Sequence, residues 1–118
     1  MIAHVVLFRP RAGASADDRR ALALAFENAM REIPSVRRAR VGRRILHGAA
    51  YEALPQPDQT YAAILEFDDL AGLEAYLGHA AHVEPAERFF AASETALILN
   101  YEMVDGAGVS ASVADWLD

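Results

Sequence analysis

The chain has 118 residues, 53% of them hydrophobic and 24% charged, and carries a formal net charge of −6. That size suits one domain around one hydrophobic core, and the acidic balance argues against nucleic-acid binding, which leans on a basic field. Cysteine is absent, which excludes disulfides, thiolate metal sites and cysteine nucleophiles.

Ile2–Phe8 is β-branched and aromatic, and it is apolar on both faces except at His4. This predicts a central strand covered on both sides. Alternation puts Ile2, His4, Val6 and Phe8 on one face and Ala3, Val5 and Leu7 on the other. The run is too short to span a membrane and lacks the basic flank and cleavage site of a signal peptide. A cytoplasmic protein with no membrane partner is therefore expected.

Ser15 with Asp18 three residues on resembles a capping box. Leu22, Phe26, Ala29 and Ile33 then recur at helical spacing, with Arg19, Arg20, Glu27 and Arg31 outside that row. The spacing predicts a helix over 16–32 that ends before Pro34. Val36–His47 alternates again and reads as a strand. All eleven basic residues are arginine, and five of them fall at 37, 38, 40, 43 and 44. These suit either an anionic-ligand patch or the charged protection of an edge strand.

Gly48–Gln59, with Pro55 and Pro57, reads as a loop. Thr60–Phe67 is expected as a strand with Tyr61, Ala63, Leu65 and Phe67 on one face. Asp68 or Asp69 caps the next helix, whose apolar stripe is Leu70, Leu73, Tyr76 and Leu77. A third helix is expected over 82–93, presenting Val83, Ala86, Phe89 and Phe90. The last strand is expected at Ala96–Val104, with Asn100 a polar exception on the face of Ala96 and Ile98. Residues 105–118 read as a linker and tail, either a short docking helix carrying Val109, Val113, Trp116 and Leu117 or an unanchored extension.

This order predicts an α+β, ferredoxin-like βαββαβ protomer over residues 1–104. The helices cover one face of its sheet. The other, with Val5, Leu7, Leu97, Leu99, Tyr101 and Met103, is apolar and has no helix left to cover it. A homodimer packed through the sheet faces follows.

Two of the four histidines lie three residues apart in Tyr76–Phe90. In one unbroken helix Tyr76 and His82 would point about 240° apart, from roughly 100° per residue. A break at Gly78, with Pro85 in the first turn of the next helix, lets the phenol and the imidazole share a space. The bland alternative makes these histidines caps or polar plugs.

Ile2-Ala-His-Val-Val-Leu-Phe-Arg, Ile33-Pro34, Phe67-Asp-Asp, Tyr76-Leu-Gly-His-Ala-Ala-His-Val and the closing Leu97–Tyr101 strand together resemble the stress-responsive dimeric α+β barrel (Dabb) family over residues 1–104. The resemblance implies a homodimer whose two sheets form a barrel. A branch of that family, the plant olivetolic acid cyclases, closes a linear polyketide thioester by aldol condensation. By that resemblance the acid/base histidine falls on His82, its tyrosine on Tyr76 and a first-strand pocket histidine on His4. Three positions depart from the pattern: Asn100 stands for an aspartate, Phe26 for a tyrosine and Ala80 for a proline.

A neutral His82 suits removal of a proton next to a carbonyl, and Tyr76 suits donation to the resulting enolate oxygen. The expected ligand-binding set is Val6, Phe8, Leu22, Phe26, Ala63, His79, Val83, Phe89, Ile98 and Asn100, whose apolar majority favours an aromatic or polyketide-like ligand. His79, His82 and Glu84 lack a convincing further metal ligand, and no nucleotide-binding glycine loop, haem motif or flavin motif is present. No metal and no cofactor are expected. Three functional classes remain open from the sequence: a cofactor-independent cyclase or lyase, a non-catalytic stress-responsive or ligand-binding protein, and a cofactor-independent monooxygenase-like barrel.

Overall fold

In the computed structural model residues 1–117 are described, and they alternate strands and helices in the expected order. β1 (Ile2–Pro10) and β3 (Tyr61–Phe67) form the centre of a four-stranded antiparallel sheet. β2 (Arg38–Arg43) lies outside β3, and β4 (Ser93–Glu102) lies outside β1. The order β2-β3-β1-β4 is that of a ferredoxin-like α+β fold.

The first helix, α1 (Ala16–Glu32), starts where the Ser15 hydroxyl accepts the Asp18 N–H at 3.0 Å and stops at Ile33, whose backbone is extended ahead of Pro34. Ile33 is nonetheless fully buried, so the same residue ends the helix and anchors it in the core. α2 (Leu70–Leu77) is capped by Asp69, whose carboxylate accepts the Gly72 N–H at 2.9 Å. A 3₁₀ turn, Ala80–His82, leads into α3 (Val83–Ala92), and the helices lie over one face of the sheet. Phe67, Leu65, Leu73, Ala29, Ile33 and Tyr76 form the packed centre between the two layers.

Two strands differ from expectation at their ends. β2 stops at Arg43 rather than His47, because its partner β3 begins at Tyr61 and the Arg43–Tyr61 pair exhausts the ladder. His47 instead contacts the Tyr51 hydroxyl at 2.6 Å in the loop, where the Glu52 carboxylate accepts the His47 and Gly48 N–H groups. β4 begins at Ser93, directly after α3, and pairs with Pro10 past an irregularity in register. Its first residues, Ser93, Glu94 and Thr95, are polar, so apolar alternation becomes visible only from Ala96.

Register confirms the two sheet faces. His4 stands between Leu65 and Asn100, and Val6 between Ala63 and Ile98, beneath the helices. On the open face of this protomer Leu99, Tyr101 and Met103 are 42%, 49% and 46% exposed. Beyond β4 the tail forms a 3₁₀ turn, Gly106–Gly108, and a short helix, α4 (Val109–Trp116). Trp116 remains 51% exposed and Leu117 is exposed too. Among the described residues no helix is long and apolar enough to cross a membrane.

Candidate functional site

The chain break after α2 positions the chemistry. Gly78 itself has an ordinary right-handed backbone, with φ −91° and ψ −3°. The departure comes one residue later, where His79 is extended at φ −74° and ψ 140°, and its Nδ1 accepts the Ala81 N–H at 3.0 Å. His79 therefore caps the 3₁₀ turn that carries His82, and it does not line the cavity. That corrects its expected place in the binding set, since a ring nitrogen committed to the local backbone holds the side chain at the turn.

Tyr76, from the last turn of α2, and His82 then meet edge to face, with ring centroids 4.6 Å apart. Tyr76 also lies edge-on to His4, at 6.0 Å, and against Phe67, at 5.4 Å. His4 Nδ1 sits 2.6 Å from Asn100 Oδ1 across the β1–β4 ladder. An amide oxygen only accepts, so His4 donates through Nδ1.

These rings face a cavity of 440 Å³ between sheet and helices. His4, Val6, Phe8, Leu22, Phe26, Ala63, Tyr76, His82, Phe89 and Ile98 line it. Phe8 extends the wall by stacking on Tyr61 at 5.6 Å and meeting Phe89 edge-on at 5.1 Å. Two expected lining residues stand elsewhere. Val83 is 54% exposed at the start of α3 and lies beyond the margin of the face that Pro85, Ala86, Phe89 and Phe90 turn toward the cavity. Asn100 supports His4 from behind rather than reaching the cavity.

Arg19, Ala23, Val41, Leu65, Leu77, Pro85, Ala86 and Phe90 complete the lining. Arg19 was legible in principle. Positions 19, 22, 23 and 26 are spaced i, i+3, i+4 and i+7, so Arg19 continues the face of Leu22 and Phe26 toward the helix start. A wider groove of 590 Å³ between α1 and β2 shares Ala23 and Phe26 but is lined by no histidine or tyrosine.

Electrostatics separate the two central groups. Burial pushes the Tyr76 phenol up to about 12, so it remains a hydrogen-bond donor across the working range. Burial first, and then the proximity of His4, lower His82 from its ordinary 6.5, against an opposing backbone hydrogen bond with Leu77. His82 is thus held as a neutral imidazole at neutral pH. Among the described residues no cluster of three or more His, Cys, Asp or Glu side chains gathers that could hold a metal ion.

A family model described as Stress responsive A/B Barrel Domain, Dabb, matches residues 2–103. This chain belongs to that family. Solved structures share the Dabb protein's fold at low identity. A hydroxynitrile lyase from Passiflora edulis is 23% identical, with a TM-score of 0.74 over 88% of this chain and 94% of that one. A cofactor-independent oxygenase from Streptomyces nogalater is 18% identical, with a TM-score of 0.64 over 88% of this chain and 93% of that one. A dimeric ferredoxin-like protein of unknown function from Thermobifida fusca is 18% identical, with a TM-score of 0.68 over 86% of this chain and 90% of that one. At these identities the likeness is one of fold. No curated protein matches this Dabb chain by sequence.

Proposed function

We propose that the chain is a cofactor-independent acid/base enzyme of the cyclase or lyase kind, acting on an enolisable aromatic or polyketide-like substrate. The observation that carries this reading is a neutral imidazole, His82, against a protonated phenol, Tyr76, at one wall of an apolar cavity. The cavity volume of 440 Å³ falls within the range usual for small-molecule sites. His82 takes the proton from the carbon next to a substrate carbonyl. The electron pair moves to the carbonyl oxygen, which Tyr76 stabilises by donating its O–H. The enolate carbon then attacks a second carbonyl of the same substrate, and the imidazolium returns its proton to the new alkoxide. His4 acts alongside, its Nδ1–H held by Asn100.

The working unit is proposed to be a homodimer joined through the open sheet faces into a barrel. Its support is the exposed row Leu97, Leu99, Tyr101 and Met103, together with the dimeric description of proteins with this fold. An interface on the order of 2,000 Å² in total would place it in the obligate class. The barrel domain is taken as 1–104 with 105–118 as an appendage, and a cytoplasmic location is proposed for a chain with no cysteine to oxidise.

The test is turnover of a poly-β-keto thioester, and of the corresponding free acid, by wild type and by His82→Ala. The variant should fold and lose turnover. Equal turnover by both, or no binding of any enolisable compound by wild type, would reduce His82 to a core residue.

A further inference from the structure

The arginine-rich second strand suited either an anionic-ligand patch or edge protection, and of its residues only Val41 lines the cavity. Arg37 pairs with Asp68 at 2.8 Å, and Arg44 bonds to Gln56 in the loop. Arg38 and Arg40 pair in register with Glu66 and Ile64 on the open sheet face. None of these side chains lines the cavity. Arg19 does, and it is the one charged residue in a lining otherwise made of apolar groups, two histidines and a tyrosine.

Its surroundings leave that charge available. One guanidinium nitrogen donates to the Ala14 carbonyl at 2.5 Å, tying the side chain to the loop before α1. Among the described residues no carboxylate lies within ion-pair distance of Arg19, although Arg9, Arg20, Arg37 and Arg88 all have acidic partners. A guanidinium has five N–H donors in a planar fork matched to carboxylate geometry. Most of that fork is unspent.

We infer that Arg19 anchors the carboxylate of the cavity's ligand, so that the ligand is an apolar monocarboxylic acid held by its charged end. This deepens the reading of the cavity as the substrate site and rests on it. The anchored end stays with Arg19, while the apolar body runs along Leu22, Phe26 and Phe89 toward His82 and Tyr76. A single cation matches a single negative charge. A phosphate dianion would call for a second cation, and the lining supplies none.

Binding is read by titration calorimetry and by the imidazole proton shifts of His82, using 4-phenylbutyrate, the neutral isostere 4-phenylbutyramide and phenyl phosphate. Wild type should prefer the acid over the amide by at least about threefold, the scale of one partly solvated ion pair. Arg19→Gln should abolish that preference while leaving amide affinity unchanged, and Arg19→Lys should restore part of it. Phenyl phosphate should bind no more tightly than the acid.

If acid and amide both shift His82 with equal affinity, the anchor is refuted and the cavity reading survives. Tighter binding of phenyl phosphate would overturn the carboxylate assignment alone. If no probe shifts His82, the cavity reading fails and takes the anchor with it. Retention of the acid preference in Arg19→Gln would also refute the anchor.

Discussion

The rings of Tyr76 and His82 lie 4.6 Å apart with their planes inclined at 65°, although six positions separate them in the chain. A continuous helix would hold these side chains on divergent faces. The extended backbone of His79, fixed by its own side chain on Ala81 N–H, turns the second ring back onto the first. The histidine pair therefore divides its labour, one ring shaping the turn and the other facing the cavity.

The pH profile of turnover should carry this geometry. Catalysis by neutral His82 is lost on protonation, and burial lowers that ring from 6.5. Activity should rise with pH through a midpoint below 6.5 and then hold level through neutrality, because Tyr76 keeps its proton to about 12. Tyr76→Phe should lower kcat by about 100- to 1,000-fold, on the scale of losing one oxyanion donor. An acid limb centred above 6.5 would contradict the assignment.

Tyr76 also predicts an alkaline weakness. Its pKa is raised from 10.0 to about 12 in the folded state, so between those values the native protein holds a proton the unfolded chain has released. Stability from this group is complete below pH 10 and declines as pH rises through 12. Urea midpoints measured from pH 9 to 11.5 should fall less steeply in Tyr76→Phe than in wild type. Parallel curves would show that the phenol is not the titrating group.

Leu99 tests the open face. Its place opposite Val5 puts it near the middle of the exposed apolar row. Leu99→Arg would bury an unpaired charge between two sheets, at a cost of several kcal/mol. Light scattering should show a wild-type dimer and a dissociated or unfolded variant. A wild-type monomer at micromolar concentration would dispose of the barrel.

Arg38 and Arg40 should matter for solubility rather than ligand affinity. Both belong to an edge strand and face away from the cavity. The double variant Arg38→Gln, Arg40→Gln should bind cavity ligands within about twofold of wild type yet aggregate more readily at its edge. A marked loss of affinity would restore the anionic patch to the second strand.

The tail helix should be dispensable to the fold. α4 contacts chiefly the 3₁₀ turn before it, and Trp116 is half exposed. Removing residues 107–118 should move Tm by less than about 2 °C, well under the shift that 1 kcal/mol produces in a domain of this size. A larger fall would show that α4 docks.

Alternation and helical spacing determined the order of elements, the two faces of the sheet and the helix limits at Ser15 and Ile33, because those features depend on near neighbours in the chain. Local pattern also put His4, Val6, Phe8, Leu22, Phe26 and Ile98 on inward faces, where they now line one space. Tertiary structure decided the rest. β2 ended where its partner strand ended, and Val83, at the start of α3, was left exposed while Ala86, Phe89 and Phe90 lined the cavity as expected. Asn100 met His4 through a ladder that joins residues 96 positions apart. Arg19 became part of the cavity only when α1 was laid across the sheet, since a helix face has no meaning for chemistry until something packs opposite it.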